Sequence, residues 1–354
     1  MAASTSPGQP TQPELGTGMT GALEQLLHGF MGTQVIHTAV RSGILDALGS
    51  DPAEADSLAH QLGGDPAAVL RLLRGMVVLG LASVGPDGRF AATGLAAQFR
   101  ADAPGSFRDA ALFRGGAVYR AWGELTAAVV AGECPYQRAM GVPLWEYMAA
   151  NPEENAVFNG AMRGMSSVVA QGLVQTLDVN GSTVMDIGGG HGHLVAALLE
   201  ANPDARGIVF DQPALEPEVR SFLAERNLAG RCRFAGGDFF RSLPDGADVH
   251  VMKWILHDWS DEDCLAILRS SRTAVADEGR LVIVERPLPE LDALAASSAP
   301  AVMGDLMMLA VFGPGSGQER TEAEYGALLT ASGFSLRERL PLSGGFAALV
   351  ASPA

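Results

Sequence analysis

The sequence predicts an α/β protein in which a small, mainly helical N-terminal domain precedes a larger domain built on a mainly parallel sheet. Three observations carry this prediction: helical spacing of apolar residues before position 100, short apolar runs alternating with helical stretches after position 180, and a glycine-rich turn directly after the first of those runs. The 354 residues are enough for two domains with packed cores.

The composition is that of a globular protein and excludes several functions. Hydrophobic residues make up 47% of the chain and charged residues 18%, so a packed core is expected. The formal net charge of −16 repels phosphate backbones and argues against nucleic acid as a partner. Three widely spaced cysteines fit neither a disulfide framework nor a zinc site. Without a signal peptide or an unbroken apolar stretch of about eighteen residues, the protein is expected to be cytoplasmic and independent of membranes.

The first part of the chain has the order of elements of a winged helix. Residues 1–18 are rich in Pro, Gly, Ser and Thr and are predicted to be a disordered tail. Residues 19–104 are predicted to form a winged-helix domain, in which a short helix ends at two glycines and Asp65 caps a second helix with Pro66 at its first position. The apolar side of this second helix is predicted to contain Leu70, Leu73, Val77 and Val78.

A small hairpin, Leu81–Val84 and Arg89–Ala92, completes the winged helix, and residues 105–180 are predicted to form a helical linker that also contributes to a substrate pocket. A winged helix raises the possibility of a transcription factor. The second helix, however, offers only Arg71 and Arg74 as cations and is otherwise apolar, whereas phosphate contacts need more positive charge. We therefore expect this region to meet a second copy of the chain in a homodimer.

Residues 181–354 are predicted to form a Rossmann-like domain. Alternating strands and helices imply a mainly parallel sheet covered by helices on both faces. The predicted strands are Thr183–Ile187, Gly207–Phe210, Cys232–Ala235, Val249–Trp254, Leu281–Val284, Ser335–Arg339 and Phe346–Ala351.

A ligand crevice is predicted where the first three strands of this sheet end. The segment "VMDIGGGHGH" sets Gly188 and Gly190 between a strand and a helix, where bare backbone lets a ligand approach closely. Asp211 ends the second strand and suits the hydroxyls of a ribose. Asp238 and Phe239 follow the third strand and suit an adenine amino group and ring. The glycine spacing is G-x-G-x-G and differs from the G-x-G-x-x-G of nicotinamide dinucleotide folds.

The segment "VMKWILHDWSDEDC" places a histidine on the same side of the sheet. Lys253 lies at the end of the fourth strand, and His257 follows in the loop at its carboxyl end. A base in this loop would face a ligand bound above the sheet. His257 is therefore predicted to be a catalytic base.

The glycine turn and its acidic partners resemble those of S-adenosylmethionine-dependent methyltransferases. The resemblance becomes close in "VMKWILHDWSDEDCLAILRSSRTAVADEGRLVIVE" and "GDLMMLAVFGPGSGQERTEAEYGALLTASGF", which are similar to plant-type small-molecule O-methyltransferases and their actinobacterial natural-product relatives. It covers nearly all of the chain after the tail. It implies a seven-stranded Rossmann-like methyltransferase domain, a winged-helix dimerisation domain and a role in secondary metabolism such as antibiotic biosynthesis.

The resemblance also assigns residues to roles. His257 matches the catalytic base, and Glu285 and Glu319 match the two carboxylates that flank it. The cofactor positions, for S-adenosylmethionine and its product S-adenosylhomocysteine, are Gly188, Gly190, Asp211, Asp238, Phe239, Lys253 and Ser166. The substrate positions are Phe158, Met162, Met308 and, beside the histidine, Asp258. No cluster of ligands in the sequence suggests a metal.

The chemistry of methyl transfer favours an acidic hydroxyl as the acceptor. A neutral histidine has a pKa of about 6.5 and a phenol one of about 10, a gap worth roughly 5 kcal/mol that hydrogen bonding and concerted transfer can cover. An aliphatic alcohol is far less acidic. The sequence therefore predicts methylation of a phenolic or enolic hydroxyl on an aromatic, polyketide-like small molecule.

Two other enzymatic functions stay open at this level. Some proteins of the same superfamily keep the fold and the cofactor but hydroxylate or rearrange their substrates. Retention of a histidine with two candidate carboxylates favours methyl transfer over that alternative. A nicotinamide-dependent oxidoreductase is a weaker alternative because of the glycine spacing.

Overall fold

The computed structural model describes residues 17–49, 51–103 and 105–354, so most of the predicted tail lies outside the described residues. The chain forms two compact units that divide between Gly115 and Gly116. Across the parts of the chain described, no helix combines the length and the apolar character needed to cross a bilayer.

The first unit is mainly helical and contains one small hairpin. Its helices are α1 (Thr17–Arg41), α2 (Ile44–Ala47), α3 (Ala55–Leu62), α4 (Pro66–Val78), α5 (Gly94–Ala97) and α6 (Arg108–Gly115). Its strands are β1 (Ala82–Val84) and β2 (Phe90–Ala92), which pair antiparallel. This is the predicted order of helix, turn, helix and hairpin.

Local signals in the sequence account for the helix boundaries in this unit. Gly43, at φ 77°, separates α1 from α2 in a backbone conformation that favours glycine. The Asp65 carboxylate accepts a hydrogen bond of 2.8 Å from the Ala68 N–H and so caps α4. The predicted apolar side of α4 was partly wrong. Its buried residues are Val69, Leu73 and Met76, spaced four and three apart, whereas Val78 falls off that stripe and is 86% exposed.

The second unit begins with helices and continues into an α/β sandwich. The helices that precede the sheet are α7 (Ala117–Gly123), α8 (Leu125–Ala131), α9 (Pro135–Met140), α10 (Leu144–Ala150) and α11 (Pro152–Thr176). The strands are β3 (Thr183–Ile187), β4 (Arg206–Asp211), β5 (Cys232–Gly236), β6 (Val249–Lys253), β7 (Arg280–Glu285), β8 (Phe334–Pro341) and β9 (Ala347–Pro353). The helices between and after them are α12 (His193–Ala201), α13 (Glu216–Glu225), α14 (Asp261–Ala274), α15 (Ala299–Phe312) and α16 (Glu322–Ala331).

Within the described residues, the second unit forms a seven-stranded sheet in the order β5-β4-β3-β6-β7-β9-β8. The first five of these strands run parallel. β9 pairs antiparallel with both β7 and β8, so it alone among the seven runs against the others. This confirms the predicted mainly parallel, Rossmann-like sheet. Because the chain moves outward from β3 in both directions, the carboxyl ends of β3 and β6 flank the switch point where open α/β sheets bind ligands.

Both faces of the sheet are buried, as a mostly parallel sheet requires. Successive residues of β3 show the alternation: Val184 packs in the core on one face, and Met185 packs in the core on the other. The same alternation separates Val251 from Met252 in β6. The apolar runs of the sequence therefore became central strands, while the polar residues that follow them lie at the sheet edge.

Candidate active site

The glycine turn lies at the carboxyl end of β3 in a conformation that other residues rarely adopt. Gly188, Gly190 and Gly192 have φ angles of 68°, 55° and 81°. A Cβ on Gly188 would overlap the Cδ1 of Ile255, and one on Gly192 would lie 2.8 Å from Val209. Around Gly190, in contrast, no atom of the described chain lies within 4 Å of an added Cβ. Two of these glycines are needed for packing, and Gly190 leaves open space.

The predicted ribose residue, Asp211, is fixed against this turn. Its two carboxylate oxygens accept hydrogen bonds from the N–H groups of Gly190, at 2.8 Å, and Gln212, at 2.7 Å. Burial raises the pKa of Asp211, and these two hydrogen bonds oppose the shift. The tip of β4 and the glycine turn thus form one rigid edge of the predicted crevice.

The predicted adenine residues, Asp238 and Phe239, lie in the loop after β5, where Phe239 is part of a cluster of aromatic rings. Asp238 accepts a hydrogen bond of 3.0 Å from the Phe240 N–H, which holds the start of this loop. The Phe239 ring packs edge-on against Phe240, at 4.9 Å, and against Trp259, at 6.1 Å. Trp259 was not predicted, although its place two residues after the histidine in a loop at the sheet edge was a usable signal.

Half-buried Lys253, at the end of β6, and buried Asp186, in β3, are opposite charges close enough to affect each other's pKa. Burial lowers the pKa of Lys253, and the nearby carboxylates of Asp186 and Glu285 partly offset that effect. Burial likewise raises the pKa of Asp186, and Lys253 opposes it. One oxygen of Asp186, Oδ2, is buried with no hydrogen-bond partner among the described residues.

His257 lies in a 3₁₀ turn, Leu256–Asp258, which begins three residues after the end of β6, and its ring lies near three carboxylates. Its Nδ1 is 3.0 Å from Oε1 of Glu319 and 3.7 Å from Oε2 of Glu285. Its Nε2 is 3.3 Å from Oδ1 of Asp258. His257 is 9% exposed, Glu319 6% and Glu285 0%, so water screens these contacts weakly. The structure thus brings together all three predicted catalytic residues.

The carboxylates determine the protonation state of this cluster. Burial by itself lowers the pKa of His257, but Glu285, Asp258 and Glu319 together raise it to about 10. Burial raises the pKa of Glu285 well above its usual range and that of Asp258 to about 6. At neutral pH the imidazole therefore carries a proton that the surrounding carboxylates hold in place.

The Trp254 ring lies parallel to the imidazole of His257, at a centroid distance of 6.3 Å and an interplanar angle of 2°. Trp254 has a φ of 54°, an uncommon conformation for a bulky residue. The Lys253 ammonium lies over one face of this ring, with Nζ 4.2 Å from the ring centroid. The predicted strand included Trp254, but the structure ends β6 at Lys253 and turns the chain sharply at this tryptophan.

The same cluster contains the ligand types of a cation site, because ligand atoms of His257, Glu285 and Glu319 lie within 4.8 Å of one another. A divalent ion with tetrahedral bonds of about 2 Å needs its ligands roughly 3.3 Å apart. The separation of 3.0 Å between Nδ1 and Glu319 is instead the length of a direct hydrogen bond. The arrangement fits a held proton, and we assign no metal role to it.

The remaining predicted residues lie on two helices of the second unit. Ser166, on α11, donates its hydroxyl hydrogen bond to the Met162 carbonyl at 2.7 Å, so its side chain is satisfied within the helix. Phe158, on the same helix, packs edge-on against Trp145 at 5.6 Å. Met308 lies on α15, half-buried. These four residues thus belong to α11 and α15, whereas His257, Glu285 and Glu319 lie after β6, at the end of β7 and before α16.

Two residues of this region were missed. Asp305, on α15, accepts a hydrogen bond of 3.0 Å from the Glu319 N–H and so helps to place that carboxylate. Arg320 is 1% exposed although it carries a full charge. Its position beside the predicted glutamate in "GQERT" was a usable signal for Arg320. Nothing in the local sequence pointed to Asp305.

Comparison with known proteins identifies the family. The model of an O-methyltransferase domain matches residues 122–335, and that of an O-methyltransferase dimerisation domain matches residues 24–102. The phenazine O-methyltransferase PhzM of Lysobacter antibioticus is 36% identical over 339 residues, which cover 95% of this chain and 96% of that protein. The mitomycin biosynthesis 6-O-methyltransferase of Streptomyces lavendulae is 35% identical over 337 residues, covering 93% and 94%.

A solved structure agrees with these matches over both units. CalO1, a methyltransferase in calicheamicin biosynthesis solved in its SAH-bound form, is similar with a TM-score of 0.81 and 30% identity, covering 96% of this chain and 100% of that one. The chain therefore belongs to the O-methyltransferase family, whose methyl donor is S-adenosylmethionine.

The residues at the sheet edge fit that cofactor. Gly190 leaves open space beside bare backbone, and the carboxylates of Asp211 and Asp238 stand at two strand ends, where a ribose and an amino group need acceptors. The unpartnered oxygen of Asp186 adds negative charge at the turn, which a sulfonium cation tolerates and a pyrophosphate would not.

Gly190→Ala should weaken binding of S-adenosylhomocysteine about tenfold or more, because its Cβ would enter the open space of the glycine turn. An alanine at this φ should destabilise the folded protein by only about 1–2 kcal/mol. Gly192→Ala is the control, since its Cβ would meet Val209 and chiefly affect folding. Calorimetric titration and thermal unfolding measure the two effects. Unchanged affinity in folded Gly190→Ala would contradict the placement.

Proposed function

We propose that this protein methylates a phenolic or enolic hydroxyl of an aromatic natural product, with His257 as the group that takes the hydroxyl proton. The observation that carries the proposal is the hydrogen bond of 3.0 Å between Nδ1 of buried His257 and Glu319. This contact orients the imidazole and leaves Nε2 as the nitrogen that can face an acceptor.

The raised basicity of His257 supports an acidic hydroxyl as acceptor. An isolated imidazole falls about 3.5 pKa units short of a phenol. The carboxylates around His257 raise its pKa to about 10, which is close to the ordinary value of a phenol. Proton transfer between matched partners is nearly balanced in free energy, whereas an aliphatic alcohol remains far too weak an acid.

The chain's residues divide the work between positioning and proton transfer. When bound, S-adenosylmethionine supplies an activated methyl group for in-line displacement. The hydroxyl proton of the acceptor passes to Nε2 of His257, and Glu319 and Glu285 stabilise the imidazolium that results. Asp258, beside Nε2, can accept a hydrogen bond from a different donor group of the substrate, since the reacting hydroxyl has only one proton.

Cofactor roles follow from the same placement. We assign the ribose to Asp211, the adenine to Asp238 and Phe239, and the backbone approach to Gly188 and Gly190. Lys253 balances the negative charge between the two halves of the crevice. Ser166 is kept as a cofactor residue only on the ground of resemblance, because its hydroxyl bonds within its own helix.

The acceptor class rests on relatives and on side chains of the second unit. The names of two relatives specify phenazine and mitomycin as the compounds or pathways they serve. In this chain Phe158 packs edge-on against Trp145, which in turn packs against Phe312 at 6.1 Å. With Met162 and Met308 these rings suit a flat aromatic acceptor.

We also propose a homodimer formed through the first unit. An apolar stripe runs along α1, where the exposed fractions are 53% for Leu23, 80% for Leu26, 72% for Leu27 and 47% for Met31. Leu26, Leu27 and Met31 lie three, four and eight residues after Leu23, which places the four side chains on one side of the helix. Such a contiguous apolar stripe is typical of a protein interface, and the dimerisation domain that matches begins at residue 24.

His257→Ala should lower turnover by ~10²-fold or more while leaving the affinity for S-adenosylhomocysteine within about twofold, because the base is removed and the cofactor contacts stay. Mass spectrometry of products from a panel of phenols measures turnover. His60→Ala, an exposed histidine in the first unit, is the control. Full turnover in His257→Ala would refute the proposed base. If substrates are consumed without S-adenosylhomocysteine being formed, a non-methylating reaction is indicated.

Glu319→Gln should shift the pH dependence of kcat/KM. Neutral His257 is the active form, so the wild-type rate should rise with pH from 7 towards the pKa of about 10. Removing one of the carboxylates that raise this pKa moves the rising limb to lower pH and reduces the plateau. Glu322→Gln is the control, because Glu322 is half-exposed and pairs with Arg339. An unmoved limb in Glu319→Gln would show that Glu319 does not act on the base.

Replacing Leu26 and Leu27 with glutamate should convert the proposed dimer to monomers, because two charges would be buried without partners. Light scattering after size exclusion measures the mass. The matched control replaces Val129 and Val130, an exposed apolar pair on α8 of the second unit, with glutamate. A monomeric wild type, or a dimer that survives the α1 change, would overturn this interface.

A further inference from the structure

Arg320 carries a full charge in the interior beside the histidine cluster. Its side chain is 1% exposed and is the largest of the fully buried side chains recorded. A guanidinium taken out of water is costly unless hydrogen bonds replace its hydration. The hydrogen-bond partners of the guanidinium therefore show which part of the chain it fixes in place.

The guanidinium holds both ends of the turn that carries the base. Nη1 donates to the Leu256 carbonyl at 2.9 Å, and Nη2 donates to the Trp259 carbonyl at 2.8 Å. These carbonyls lie immediately before and after His257 and Asp258. Nε donates to the exposed carboxylate of Asp261 at 2.9 Å. Three nitrogens of one rigid plane thus clamp the turn.

The backbone around Arg320 joins the other two catalytic segments to the same point. Glu319 precedes it directly, and the Gln318 N–H donates to the His257 carbonyl at 2.8 Å. The Arg320 carbonyl accepts a hydrogen bond of 2.9 Å from the N–H of Leu288, three residues after Glu285 at the end of β7. Arg320 is therefore bonded to, or adjacent to, each of the three segments that carry His257, Glu285 and Glu319.

We propose that Arg320 is the positioning residue of the proton-transfer site: its guanidinium fixes the His257 turn against Glu319 and so sets the hydrogen bond that orients the base. This inference rests on the proposed function of His257. Arg320 acts through the turn and touches neither acceptor nor cofactor in this role.

The planar fork explains why arginine occupies the position. Its five N–H donors lie in one plane and reach separate carbonyls at once, whereas the ammonium of lysine is a compact point charge with a different reach. A lysine at position 320 would keep the charge and lose the clamp. A displacement of about 1 Å between reacting groups can reduce turnover about 10²-fold, so a loosened turn has a measurable cost.

Loosening the turn also changes the charge environment of His257. The groups that face its ring are Glu285 at the end of β7, Glu319 before α16 and Asp258 on its own turn, with Lys253 close to two of these carboxylates. Asp258 moves with the turn, while Glu285 and Glu319 do not. A freed turn weakens the two contacts that raise the basicity of the imidazole.

The test is Arg320→Lys, with Arg231→Lys as the matched control. Arg231 is a partly buried arginine that donates to backbone carbonyls of Leu199, Asn202, Pro203 and Ala205, at the opposite end of the sheet. Turnover of a phenol, affinity for S-adenosylhomocysteine and thermal unfolding are measured for each. The titration of His257 is followed by NMR of labelled histidine, with His257→Asn to assign the signal.

We expect Arg320→Lys to lower kcat about tenfold or more, to leave cofactor affinity within about twofold and to move the His257 titration to lower pH. Arg231→Lys should lower the unfolding temperature and leave both kcat and the titration unchanged. Asp261→Asn, which removes the exposed partner without emptying the interior, should show the same changes in smaller measure and serves if Arg320→Lys does not fold.

A folded Arg320→Lys protein with wild-type kcat and wild-type histidine titration would overturn the positioning role, as would equal effects of the Arg231 control. These outcomes differ from failure of the proposed function. If His257→Ala retains full turnover, the base is wrong, whereas a loss in His257→Ala without one in Arg320→Lys refutes the clamp alone.

Discussion

The contact between Nδ1 of His257 and the carboxylate of Glu319 is the interaction on which the rest of the site depends. Burial alone would make the imidazole a weaker base, and the neighbouring carboxylates reverse that effect. A base of this strength is matched to a phenol and poorly matched to an aliphatic alcohol. In the proposed function, the choice of acceptor chemistry therefore follows mainly from the electrostatics around the His257 ring.

Such a site is costly to the fold. Both carboxylate oxygens of Glu285 are buried without a hydrogen-bond partner among the described residues, and the side chain is 0% exposed. Burial raises the pKa of Glu285 to about 8, although the charges of His257 and Lys253 oppose that shift. Residues held in unfavourable environments are typical of functional sites, where the surrounding structure compensates for them. Here the compensation comes from the positive charges of His257 and Lys253, which oppose the effect of burial on Glu285.

Strand order brings the two halves of the reaction together. The parallel register of β6 and β7 pairs Lys253 with Val284, so Glu285 lies next to the turn that begins after β6. On the other side of β6, β3 ends in the glycine turn, and Ile255 packs beneath Gly188. The predicted cofactor residues and the proposed base thus lie on neighbouring loops at the switch point of the sheet. A different strand order would separate them even with every residue kept.

The sequence by itself determined the features that depend on short stretches of chain. The glycine turn, the acids at the ends of β4 and β5, the strands around them and the histidine after β6 all follow from local patterns, because a strand end and its loop are set by neighbours a few residues away. The residue types, together with a family resemblance, also pointed to Glu285 and Glu319.

Tertiary structure decided what depends on distance in space. Glu319 is 62 residues from His257 along the chain, and no pattern in the sequence predicts that the two side chains form a hydrogen bond. Packing in space likewise decides the carboxylates around His257, the hydrogen bonds of buried Arg320, the stacked ring of Trp254 and the exposure of Val78. Each depends on which groups surround a side chain after folding. Electrostatic and steric effects act between residues that are close in space, and the sequence alone does not show which distant residues become neighbours.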